Sequence, residues 1–193
     1  MKKKTHKNAY LLLALALICL FGISYAIFNY TFSSSNTSKI TTSDISMELL
    51  ESNTNVISLE KAIPTSDSDG KTQSNTFDFA VTTKANNNAK ILYSITLTKP
   101  TATSGYTFLD DSAIKVYLTD LNNNQIVAPT KVSALTNYVL YSKTNTHSAS
   151  NTTIKDKYRL RMWIDEGVDA SNWTSSTKLE YKLKVNVSGQ RTN

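Results

Sequence analysis

The stretch Asp67-Ser68-Asp69-Gly70 sets alternate carboxylates ahead of a glycine. Calcium loops begin this way, because a hard cation gathers several oxygens around a sharp turn. Only part of such a site is present. There is no third regular ligand, and the twelfth position counted from Asp67 is Asp78, inside a predicted strand. Asp67 and Asp69 are therefore weak calcium candidates, set against a polar turn in which Gly70 supplies a positive φ. Further acids occur at Asp110-Asp111, Asp165-Glu166 and Asp169. Paired carboxylates can share acid and base work, but strand ends and turns explain these positions more simply. His147 is the only histidine beyond residue 26, and no HExxH, GxSxG or glycine-rich phosphate loop occurs. The chain reads as non-enzymatic, with no catalytic residue and no cofactor beyond the weak calcium option.

Trp163 and Trp173 flank the acidic turn at 165–169. Two indoles beside a polar turn could stack on a sugar, so both are candidates for a binding surface, against packing in the core or as a lid. In "YRLRMWIDE" the alternation places Leu160 and Met162 on one face. Arg159, Arg161 and Trp163 fall on the other, where an arginine could sit over an indole ring.

Strands must position these residues. Apolar residues alternate in "DISMELLE", "TFDFAVTT", "KILYSITLTK", "AIKVYLTDL", "YRLRMWIDE" and "KLEYKLKVNV". This period of two marks half-buried strands. "NQIVAP" and "NYVLYSK" are weaker versions. Turn-like stretches lie between them: "PTSDSDGK", "ANNNA", "KPTATSGY", "DLNNN" and "SKTNTHSASN". Pro64, Pro100 and Pro129 are expected between strands, where a missing N–H does no harm. Seven or eight short strands without a long amphipathic helix predict an all-β domain, an antiparallel β-sandwich of jelly-roll or Ig-like type.

One hydrophobic helix is expected ahead of that domain. Lys2, Lys3, Lys4 and Lys7 precede an apolar run over 11–21, and Ser24 and Ala26 occupy the −3 and −1 positions of a cut after Ala26. Together these form a secretory signal peptide. The alternative is a signal anchor over 9–28, long enough to span a bilayer, which needs roughly 20 apolar residues. The expected layout is a signal at 1–26, an N-terminal arm at 27–43, a domain at 44–189 and a short tail at 190–193. Export to the medium or the cell surface follows, with membrane contact through 9–28 at least before a signal peptidase acts. Residues 1–26 hold four lysines and no acid, so the remainder carries 17 basic and 15 acidic residues and no cysteine. The basic character of the whole chain is largely that of its first segment, which argues against a nucleic-acid partner.

The order "SYAIFNYTF", "FSSSNTSKITTSDISMELLE", "AIPTSDSDGKTQSNTFDFAVTT", "AKILYSITL" and "YRLRMWIDEGVDASNWTSSTKLEYKLKVNV" resembles the TasA/camelysin-type surface proteins of Gram-positive bacteria. The likeness lies in pattern and order over most of the chain beyond residue 26. It departs where Ser43-Asp44 replaces the glycine usual in the opening strand. The resemblance implies a jelly-roll-like sandwich, processing by a dedicated signal peptidase, and a structural role in the biofilm matrix. In some members an N-terminal strand of one subunit completes a sheet of the next. On that reading Phe28, Tyr30 and Phe32, alternating along the arm, would form the donor strand. A tethered adhesin is the alternative function. A camelysin-like protease is a more distant one, because no nucleophile or metal site is found to support it.

Overall fold

The computed structural model describes residues 30–31, 37–41, 45–51, 56–60, 62–85, 88–149, 151–171, 173 and 178–192. The apolar stretch 9–28, the cleavage positions Ser24 and Ala26, and Phe28 and Phe32 lie outside them. The strands are β1 (Tyr30–Thr31), β2 (Thr37–Thr41), β3 (Ile45–Glu51), β4 (Val56–Glu60), β5 (Pro64–Thr65), β6 (Phe77–Ala85) and β7 (Ala89–Thr98). They continue with β8 (Thr107–Phe108), β9 (Ile114–Thr119), β10 (Gln125–Lys131), β11 (Val139–His147), β12 (Thr152–Asp165) and β13 (Leu179–Thr192). Among the described residues one short α-helix, α1 (Asp67–Thr72), lies between β5 and β6. The all-β expectation is met.

The strands form two sheets. In the first, β13 is the organising strand. β7 runs along one side of it and carries β11 beyond, while β4 and β1 pair on the other side. In the second the order is β10-β9-β12-β6-β3-β2. All pairs are antiparallel except the two-residue ladders of β5 on β12 and β8 on β13. The chain crosses between the sheets repeatedly, so neither sheet can be built from one continuous segment.

Alternation explains why the sheets share a core. On β7, Ile91, Tyr93, Ile95 and Leu97 are buried, while the residues between them are half-buried or exposed. Inward side chains of β4, β7 and β13 meet those of β6, β9 and β12 in one hydrophobic cluster. Burying each Ile, Leu or Val contributes about 1.5–3 kcal/mol.

Several boundaries differ from expectation. β2 falls within the stretch read as an arm, and residues 190–192, read as a tail, belong to β13. Pro64 and Pro129 lie within strands. Both strands tolerate this, since β5 is a two-residue bridge and β10 is an edge. "SKTNTHSASN" is not all turn, because β11 runs through its first half to His147.

Candidate functional site

The Asp67-Ser68-Asp69-Gly70 stretch is a helix, not a turn with positive φ. Ser66 caps it, with its Oγ accepting from the Asp69 N–H at 3.2 Å and lying 2.9 Å from Asp69 Oδ2. This is a serine N-cap whose hydroxyl also donates to the Asp69 carboxylate. Asp67 pairs with Lys115 Nζ at 2.9 Å. The two calcium candidates thus serve a cap and an ion pair. Among the described residues no group of three or more metal-ligating side chains occurs. Gly70 is required for another reason than its φ. A Cβ built there would lie 2.4 Å from Trp163 Cδ2 and Cε2, so α1 rests directly on the indole face.

Trp163 is accordingly only 2% exposed and presents no ring to solvent, which corrects its reading as a binding surface. Tyr117 packs edge-on to it at 6.4 Å between centroids. The cation–π contact on this face is made by Lys71 over Tyr117 at 6.0 Å. Arg159 instead clamps Asp78 through Nε and Nη2 at 2.8 and 2.7 Å. Arg161, 6% exposed, donates Nη2 to Asn123 Oδ1 at 2.9 Å and Nε to the Gln73 carbonyl at 3.3 Å. Trp173 is partly buried against the main core. Alternation placed Trp163 on the outer face correctly. It could not show that a six-residue helix covers that face.

The acidic turn anchors the same corner. Asp165 receives Lys131 at 2.8 Å and Lys115 at 3.2 Å. Lys131 foremost, then Lys115 and the Gly167 N–H, outweigh burial and hold its carboxyl down at about 2. Because the folded value is depressed, this stabilisation is complete above the unfolded value near 4. It is lost as pH falls from about 4 towards 2. Lys131 is half exposed and water screens the pair, so the contribution is of order 1 kcal/mol. Asp165→Asn should flatten the acid limb of a stability–pH curve in that window; an unchanged limb would show the pairs contribute nothing.

A second polar cluster crosses between the sheets, and sequence reading missed it. Asp156 on β12 points inward with Tyr158. It accepts from Lys143 Nζ at 2.5 Å, from Asn145 Nδ2 at 2.8 Å and from the Tyr93 hydroxyl at 2.9 Å. The Tyr93 and Tyr158 hydroxyls are hydrogen-bonded to each other. Burial pushes the Asp156 carboxyl up, but the bonds from Lys143, Asn145 and Tyr93 win and hold it below its usual range. Asn145 also donates to Thr83 Oγ1 at 3.0 Å, and Thr83 bonds His147 Nε2 at 3.1 Å. His147, expected in a loop, is thus a buried strand residue tied to both sheets. The signal was available in "TIKDKYRL", where the period of two carries Asp156 to the Tyr158 face.

Beside this cluster lies a groove of about 660 Å³ between β11, β12 and the β9–β10 turn. That turn is held firmly. Asp120 accepts from the N–H groups of Asn122 and Asn124 at 2.8 Å each and from Asn124 Nδ2 at 2.7 Å. Asn123 takes a left-handed φ of 65°. Asn tolerates that conformation better than most residues.

The arm has a defined place where it is described. β1 pairs antiparallel with β13, Tyr30 opposite Gly189 and Thr31 opposite Ser188. β4 pairs the same side of β13 over residues 180–184. The ladder of β1 is two residues long. No protein-family model matches this chain, and no curated protein matches it either.

Proposed function

We propose that this protein is an exported, non-catalytic structural subunit of the bacterial surface or extracellular matrix, of the TasA/camelysin type. Its two sheets are read as a jelly-roll-like sandwich. The apolar stretch 9–28 would carry it into the membrane, and a signal peptidase would release it after Ala26. The observation that carries the reading is the pairing of β1 with the rim of β13. A sheet edge offers unpaired backbone groups that any suitable strand can satisfy. A ladder of two residues is worth only about 1–2 kcal/mol. It can therefore open, and the same strand of a second copy can take its place, as in domain swapping. Tyr30 would lie in this strand, with Phe28 and Phe32 on either side along the chain.

Deleting residues 27–35 tests this. The variant should keep its thermal midpoint within a few degrees and remain monomeric by sedimentation at concentrations where the intact product forms fibres under the electron microscope. Fibres of normal length from the deletion variant would remove the donor-strand role.

A further inference from the structure

We propose that the groove beside β11 binds an acidic saccharide, a run of sugar rings bearing carboxylates. The proposal stands apart from the arm and the β13 rim. The groove volume, about 660 Å³, falls within the roughly 300–1,000 Å³ of small-ligand sites. It opens where the terminal strands of the two sheets, β10 and β11, flank one side of the molecule.

Both flanking strands are guarded against adding another strand. On β11, Lys143 turns towards the opposite sheet to meet Asp156. β10 carries Pro129 and two breaks in its register with β9. Inward charges, prolines and bulges are the devices that blunt sheet edges. A backbone ladder between an extended peptide and β10 or β11 is therefore disfavoured, and the proposal takes the ligand to be recognised by side chains.

The side chains suit a sugar. Leu121, 36% exposed, and Ile126 form an apolar wall, and the half-buried Tyr141 ring meets Tyr158 edge-on at 6.0 Å. Such surfaces take the C–H face of a pyranose. Asp156 is already shared among three donors and is fixed in place. Asp120 is likewise held by its own turn, and Arg161 pins that turn from the far side through Asn123. A wall ordered before binding loses little entropy when the ligand arrives. Lys143 is taken up by Asp156, so the cations left to read a ligand are Lys155 and Lys157, both exposed and both lining the groove. Against the Asp120 carboxylate in the same lining these two lysines leave a net positive charge, which favours an acidic ligand over a neutral sugar.

The test uses the 193-residue chain as its expression host yields it, with hexagalacturonate as probe. Its methyl ester and hexaglutamate are controls. Calorimetry should show hexagalacturonate binding that weakens about tenfold on esterification, and equally in the Lys155→Ala/Lys157→Ala variant, whose thermal midpoint should not move. Amide NMR shifts should centre on 120–122, 141 and 155–158. No binding at millimolar probe, equal affinity for the ester, undiminished binding by the double variant, or shifts elsewhere would each overturn the proposal. Equal binding of hexaglutamate would overturn the saccharide class in favour of an acidic peptide.

Discussion

Asp156→Ala lowers stability by about 2–4 kcal/mol. The side chain is 13% exposed and takes hydrogen bonds from Lys143, Asn145 and Tyr93. Removing it leaves one ammonium and two neutral donors without the acceptor they share. Lys143, 37% exposed, can swing partly out to solvent, which keeps the loss short of that for a fully buried pair. Asp156→Asn keeps the shape but brings two donors to a site that already supplies donors, so it recovers only part of the loss. Exchanging both partners, Asp156→Leu with Lys143→Met, should recover most of it, because no unpaired charge remains. Urea unfolding at constant m-value reads all three variants. An alanine variant within about 1 kcal/mol of the parent would mean the cluster is far wetter than its geometry indicates.

Gly70→Ala should also destabilise, by about 1–3 kcal/mol. In an exposed helix the same change gains up to about 1 kcal/mol, because glycine is the poorer helix former. Here the added methyl falls 2.4 Å from two indole carbons and 2.9 Å from a third. The indole cannot retreat, since Tyr117 backs it and the sheet lies beneath. Either α1 lifts or the ring leaves its rotamer. Tryptophan fluorescence should report greater solvent access. Combining Gly70→Ala with Trp163→Leu should cost less than the two changes summed, because the smaller side chain removes the clash. A Gly70→Ala variant more stable than the parent would show that α1 does not rest on Trp163.

The strands of this protein were legible to the degree that they alternate. Ile45, Met47 and Leu49 announced β3, and the runs around Tyr93, Leu160 and Leu183 announced β7, β12 and β13. β4 went unread because "VISLE" is short and lies between polar stretches. α1 was read as a turn because Asp, Ser and Gly are turn residues. What holds it as a helix is the Ser66 cap and the indole under Gly70, and neither appears in local propensity. His147 was placed in a loop because Thr, Asn and Ser surround it. Those polar residues instead serve a polar seam between the sheets. The alternation gave the face of each side chain. It could not give the partner across the core, which is why Asp156 and Lys143 escaped notice as a pair.

The two long strands on which the sheets are organised, β12 and β13, follow all the other described strands. β6 and β9 meet through β12, and β7, β4 and β1 meet on β13. β1, β4, β6, β7 and β9 therefore wait for a partner that arrives late in the sequence. Without residues 152–192 the ladders that remain are β2 with β3, β3 with β6, β9 with β10 and β7 with β11, and neither sheet has its organising strand. A chain arranged in this way closes its two sheets only once β12 and β13 are available. Contacts between distant segments of sequence also make that closure slow.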